Sequence, residues 1–340
     1  MSNEVFLRNL ASDLNSEKIL FTPGPGAITF ENLIGLRPYF SRGDKQYEEI
    51  ENRVKKAILK LSGQERIAII PGSASLAIEI AISNFLFGKI LLVETGYYSQ
   101  RIGGICEAIP KSSSQNLNLF RINFDEIENI SGKFDWVLAC PVETSIGLYQ
   151  EIGKLKLLSQ KVGAKLFLDS TASIGLEQGH ELADINCFSS CKGLFGLTGA
   201  SFVTYNDNPG IEVTSFYLNL NTHLDKKITG PYHAIGSLDV TLSNHEFLKQ
   251  SVIINKIKTR SKFENNLYYP LEYQPLLCTR LNAKVRALDQ RVILYSSRSE
   301  IRGSVICHLG ELHLGSNANG SILDLIQISP EIKSQFSAND

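Results

Sequence analysis

The chain lacks any run of about 18 apolar residues, so nothing in it reads as a membrane span. It also lacks a charge imbalance: 34 Lys and Arg face 35 Asp and Glu, a formal charge of -1 at pH 7. That leaves no global electrostatic handle for nucleic acid or for an anionic membrane surface, so neither is expected as a partner. The opening segment MSNEVFLRNLASDLNSEK is polar and of mixed charge, unlike a secretory signal, and a cytoplasmic protein is expected. Cysteine is sparse. The six, Cys106, Cys140, Cys187, Cys191, Cys278 and Cys307, are scattered and mostly inside apolar runs, which suits reduced core residues. Cys187 and Cys191 have no accompanying His or second Cys pair, so no metal site is expected. Internal repeats and low-complexity tracts are absent as well.

What is present is an enzyme-sized globular composition: 340 residues, 43% hydrophobic and 20% charged, enough for one large and one smaller domain. Residues 5–14 carry weakly helical apolar spacing. Residues 22–26, TPGPG, are too rich in proline and glycine for a helix or central strand and read as an ordered turn. Residues 47–63 place Ile50, Val54, Ile58 and Leu61 near three and four apart and end on Gly63. That pattern predicts an amphipathic helix with a glycine stop. Residues 67–87 then read as buried strand, glycine turn and apolar helix. The turn holds Gly72, Ser73, Ala74 and Ser75, and such a turn aims backbone N–H groups along the helix dipole, which suits a phosphate dianion or simply an N-cap. Strand and helix continue to alternate through residues 89–162. Strands apolar along their length, alternating with helices, mean an open, mostly parallel sheet covered on both faces. Ligands in that architecture sit at the carboxyl ends of the strands.

Two strand ends stand out in residues 165–203. The apolar run 166–168 ends on Asp169; the run 185–188 passes through Ser189 and Ser190 to Lys192, with Gly193, Gly196 and Gly199 following. An acid and an amine at neighbouring strand ends suit a pyridoxal 5'-phosphate (PLP) site, lysine as the Schiff-base amine and aspartate on the pyridinium nitrogen. A structural ion pair or two solvated loop residues is the alternative. Gly72 to Ser75, Tyr97 and Tyr98, and Glu143 to Ser145 also follow strands, so several polar groups converge on one rim.

Seven motifs in order, FTPGPG at Phe21, PGSASLAIE at Pro71, TGYYSQRI at Thr95, VETSIG at Val142, LDSTASIG at Leu168, SSCKG at Ser189 and CHLGEL at Cys307, carry a family likeness. Over residues 21–325 the chain resembles the class V, fold type I PLP-dependent aminotransferases, nearest to the 2-aminoethylphosphonate:pyruvate and serine or alanine:glyoxylate transaminases. The resemblance implies an α/β fold, a mostly parallel sheet flanked by helices with a smaller α+β C-terminal domain. It implies a large PLP-binding domain at 19–228, a small domain from 1–18 plus 229–330, and a loose tail at 331–340. It also implies transfer of an amino group between a small amine or amino acid and a keto acid, in a homodimer. Lys192 and Asp169 would be catalytic. Ser73, Ala74 and Ser75 would hold the phosphate, Tyr98 would stack on the ring, and Thr144 would lie near the ring hydroxyl. A PLP-dependent lyase or decarboxylase on the same scaffold is the alternative, followed by a non-catalytic protein of this fold.

Two positions depart from the family pattern. In ITGPYHA, Tyr232 stands in place of the usual threonine that reaches the phosphate from a partner subunit, leaving Thr229 or Tyr232 for that contact. In GSVICHLGEL, Val305 occupies the slot of the arginine that grips the substrate carboxylate. Either another cation takes over, with Arg298 and Arg302 as candidates, or the amine carries no carboxylate there.

Overall fold

Four strands are buried along nearly their whole length, and they form the middle of a seven-stranded sheet. In chain order the strands are β1 (Arg66–Pro71), β2 (Gly88–Glu94), β3 (Leu117–Asn123), β4 (Trp136–Ala139), β5 (Lys165–Asp169), β6 (Ile185–Ser189) and β7 (Ala200–Tyr205). Side by side they run β1-β7-β6-β5-β4-β2-β3. Strand β7 is antiparallel to both its neighbours, and every other adjacent pair is parallel. The computed structural model describes residues 3–40, 43–109, 116–310 and 321–330. The tail expected to be loose, 331–340, lies outside the described residues, as do Glu311 and Leu312 of the closing motif.

Helices cover both faces of the sheet, as strands apolar on both sides require. The chain enters through α1 (Asn3–Ser16), then α2 (Lys45–Ser62) begins where the Asp44 carboxylate accepts from Tyr47 N and ends on Gly63 at φ 80°. Its Ile50, Val54 and Ile58 pack with Phe188 and Phe202 of the sheet. Helices α3 (Ala74–Phe85) and α4 (Tyr97–Ala108) bury against Leu92, Leu138, Phe167 and Cys187. Alternate residues of the same strands, Leu91, Val137, Leu166 and Leu168, point the other way onto α5 (Ile152–Lys161). The expected sheet and flanking layers are therefore borne out. Strand β3 was not legible in the sequence: it is an edge strand, half exposed along its length.

After β7 the chain forms α6 (Tyr232–Ser243) and α7 (His245–Lys262) and then small two-stranded pairings. Strands β8 (Cys278–Leu281) and β9 (Ser304–Cys307) pair antiparallel, and Ile19–Phe21 pairs parallel with Val292–Leu294. The pattern in residues 322–328 suggests a helix. The structure has a short 3-10 turn, Ser321–Leu325, and a strand, Ile326–Ile328, instead. The reason is local: Ile326 and Ile328 are β-branched, alternate about Gln327, and meet the free edge of Val285–Ala287. Among the described residues no helix is long and apolar enough to cross a membrane, and no group of His, Cys, Asp or Glu is arranged to hold a metal ion.

Two buried histidines give the fold an acid limit. His180 Nε2 lies 2.9 Å from Ser173 Oγ, and His308 Nε2 lies 3.0 Å from Thr279 Oγ1. Burial pushes their pKa values down to about 4 and about 3. Unfolded imidazoles take up protons near pH 6.5, and the folded ones refuse them until those lower values. Their stability contribution is complete above about pH 6.5 and is lost as the pH falls toward 4, at up to ~1.4 kcal/mol per pH unit for each group. Denaturant melts of the wild type and of His180→Gln from pH 7 to 4.5 check this. Equal slopes for the two proteins would rule out the His180 contribution.

Candidate active site

The parallel strands deliver two ionisable groups to one sheet edge. Strand β5 ends on Asp169, which is in register with Cys187 of β6; the chain leaves β6 at Ser189 and reaches Lys192 three residues on. Gly193 lets that turn sit close, since a Cβ there would lie 2.0 Å from the Ile174 carbonyl oxygen. Asp169 and Lys192 are not an ion pair with each other. The Asp169 carboxylate, 2% exposed, accepts from Thr171 N at 3.1 Å and Thr171 Oγ1 at 2.5 Å through one oxygen. Its other oxygen accepts from Arg101 Nη2 at 2.9 Å. Lys192 Nζ stands 5.1 Å from the centre of the Tyr98 ring, and the Arg101 guanidinium stands 4.9 Å from the same ring.

These groups line a cavity of about 210 Å³ whose walls include Ser73, Ala74, Ser75, Tyr98, Arg101, Thr144, Thr171, Asp169, Lys192 and Arg298. Ser73 is the N-cap residue of α3, yet its side chain makes no capping bond, so the first turn of a 12-residue helix faces the cavity. A helix N-terminus carries roughly half a positive charge and free N–H donors, a natural seat for a phosphate. The Thr144 hydroxyl is buried in the same wall with no hydrogen-bond partner.

Glu143 fixes the frame around this cavity. Fully buried, it accepts from Tyr98 N at 2.9 Å, Ser99 N at 3.0 Å, Ser145 N at 3.2 Å and Ser145 Oγ at 2.5 Å. Burial pushes its carboxyl up while those hydrogen bonds pull against the rise. A carboxylate at the N-terminus of α4 both satisfies the helix donors and ties that helix to the loop bearing Thr144. Glu143 therefore orders the junction between α4 and the Thr144 loop. From the C-terminal side, Ser297 donates to the Ser145 carbonyl and Ser299 Oγ to Ser145 Oγ, while Arg298 Nη1 donates to Tyr97 Oη at 2.8 Å.

Of the residues expected at the site, the structure brings Ser73, Ala74, Ser75, Tyr98, Thr144, Asp169, Lys192 and Arg298 to one cavity. Arg302 is exposed and does not line it. Thr229 is exposed, and Tyr232 packs edge-on against Tyr47, its ring centre 5.0 Å away, beside a different hollow. Arg101 and Thr171, the partners of Asp169, were missed in the sequence. The signal for Arg101 was available: it lies three residues after Tyr98 on one helix, and that spacing shares a face.

No family model matches the chain. Over 253 residues it is 24% identical to a 2-aminoethylphosphonate–pyruvate transaminase of Pseudomonas aeruginosa, covering 67% of this chain and 68% of that protein. The structure superposes on pyridoxamine-pyruvate aminotransferase from Mesorhizobium loti with a TM-score of 0.72 and 18% identity, covering 87% of each chain. An aspartate aminotransferase of subgroup IV from Thermus thermophilus gives a TM-score of 0.71 at 18% identity, over 86% of this chain and 93% of that one. The chain has the fold of the class V, fold type I PLP-dependent aminotransferases. The resemblance carried by the motifs is borne out in the fold, and these matching proteins are transaminases or aminotransferases by name. The cavity of this aminotransferase fold also fits the cofactor on its own terms. A helix N-terminus, a buried carboxylate, an aromatic ring, an amine and an orphaned hydroxyl in one cavity match, in turn, a phosphate, a pyridine nitrogen, a ring face, a carbonyl carbon and a ring oxygen.

Proposed function

We propose that the protein is a PLP-dependent aminotransferase that moves an amino group between a small amine or amino acid and a keto acid. The observation that carries it is the convergence of Asp169 and Lys192, at the ends of adjacent parallel strands, on one cavity with the Tyr98 ring and the first turn of α3. When bound, PLP supplies an electron sink for charge developing at the carbon that bears the amine. Lys192 Nζ is the amine placed to hold the cofactor and the base that carries the proton during transfer. Asp169 would hold a proton at the pyridine nitrogen, and Thr171 and Arg101 fix its two oxygens. Tyr98 would cover one ring face, Thr144 would donate to the ring oxygen, and Ser73, Ala74 and Ser75 would receive the phosphate.

The reading includes a homodimer. Thr229 and Tyr232 lie outside this protomer's cavity, which leaves them for the phosphate contact that the family resemblance assigns to a partner subunit. Sedimentation should give twice the chain mass of 37.7 kDa; a fully active monomer would remove this part of the reading. The large and small domains are proposed at the boundaries given above, with the Ile19–Phe21 strand pairing into the C-terminal layer.

The test is a half-reaction. Purified PLP-loaded protein is given alanine, serine or 2-aminoethylphosphonate, then pyruvate or glyoxylate, and the cofactor absorbance is followed. Conversion to the pyridoxamine form and back is expected. Turnover without that conversion would point to a lyase or decarboxylase, and no response to any donor would sink the enzymatic reading.

A further inference from the structure

Arg280 lies on β8 directly opposite Val305 of β9. Directly opposed residues of an antiparallel pair present their side chains on one face, so Arg280 shares a face with Cys278, Val305 and Cys307. That face turns toward the cavity: Cys278, Val305 and Cys307 cluster with Val142 and Ala172, and those two line it.

Arg280 is 6% exposed. Its Nη1 donates to the Ile146 carbonyl at 3.1 Å and its Nη2 to the Arg302 carbonyl at 3.2 Å, which ties it to the loop bearing Thr144. Nε is buried with no acceptor, and the guanidinium lies 4.1 Å from the centre of the Tyr268 ring. None of the ion pairs among the described residues includes it. Two carbonyls orient a guanidinium without neutralising it, and a buried charge without a counter-charge is costly. Such a group is built for an anion that arrives later. The other cations near the cavity are differently placed: Arg101 is paired with Asp169, and Arg298 and Arg302 are exposed.

We propose that Arg280 receives the carboxylate of the small amino-acid or keto-acid substrate, its guanidinium entering from the strand beside Val305. This rests on the aminotransferase reading, in which the keto acid always brings a carboxylate to the cavity. A guanidinium with a free Nε–H and one unused N–H on each Nη can still donate two parallel, charge-assisted hydrogen bonds.

The experiment uses the PLP-loaded protein and two probes. Propionate, a carboxylate with no amine to react, is titrated while the cofactor absorbance is read; pyruvate is titrated against the pyridoxamine form in single turnover. Arg280→Gln is expected to weaken propionate binding and raise the half-saturating pyruvate concentration by about 30-fold or more. Arg280→Lys, which keeps the charge and loses the fork, is expected to give about tenfold. It serves if the glutamine variant fails to hold the cofactor. Adding Val305→Arg to Arg280→Gln returns a guanidinium to the same rung and is expected to recover part of the loss, which repair of a merely structural contact would not do. Unchanged propionate and pyruvate constants in a variant that still holds PLP would overturn the role of Arg280 and leave the aminotransferase standing. A wild-type protein that takes up no PLP would overturn both.

Discussion

Replacing Lys192 with alanine is expected to lower transamination by about 10⁴-fold or more, the largest effect of any single side chain in the protein. Two duties rest on one amine. It stands 5.1 Å from the Tyr98 ring inside a cavity whose other cations are guanidiniums, Arg101 held by Asp169 and Arg298 bonded to Tyr97, so among the described residues no second amine lines it to take over. The fold should survive, because Lys192 makes no ion pair among the described residues and its backbone turn is set by Gly193 and by the Phe195 N to Lys192 O bond of 2.9 Å. The measurement is borohydride reduction of the PLP-loaded proteins followed by peptide mass analysis, alongside the half-reaction with alanine. Wild type should carry the pyridoxyl group on Lys192. A Lys192→Ala protein that is labelled at another lysine and retains a tenth of the activity would defeat the assignment.

Asp169→Asn is expected to reduce transamination by about 10³-fold, comparable with the removal of one preorganised electrostatic contact from an active site. The amide keeps the shape and can still bond Thr171, but it no longer presents a negative charge to a protonated ring nitrogen. It also leaves the Arg101 guanidinium, 26% exposed at its side chain, without its carboxylate. A partner about a quarter exposed is eased by water, so the stability loss should stay at ~1–2 kcal/mol, below the ~3–5 kcal/mol of a fully buried broken pair. Comparing Asp169→Asn with Thr171→Val and Arg101→Gln separates charge at the ring from mere placement of the carboxylate. If all three lose activity equally, Asp169 acts only by position and the charge argument fails.

Much of this site was legible because strand ends are simple objects. Residues 166–169 and 185–192 announce a buried strand followed by one ionisable group, and a parallel sheet leaves only one edge where such groups can meet. The small-residue turn at 72–75 was readable for the same reason. What could not be read was the pairing. Arg101 and Thr171 are ordinary surface-type residues until Asp169 is placed between them, and the position of Arg280 opposite Val305 depends on the register of two strands more than twenty residues apart. The C-terminal layer was the least legible part of the fold. Its strands are three or four residues long, too short for periodicity to tell strand from helix, as residues 322–328 illustrate.

The parallel pairing of Ile19–Phe21 with Val292–Leu294 has a mechanical side. Three residues past that strand, Gly24 lies so close to the catalytic turn that a Cβ there would meet Lys192 Cγ at 2.8 Å and the Cys191 carbonyl at 3.2 Å. A three-residue tether spans at most ~11 Å when fully extended. The C-terminal layer and the methylene stem of Lys192 therefore hang from the same short leash, and the layer has little slack to swing before it draws Gly24 off the lysine.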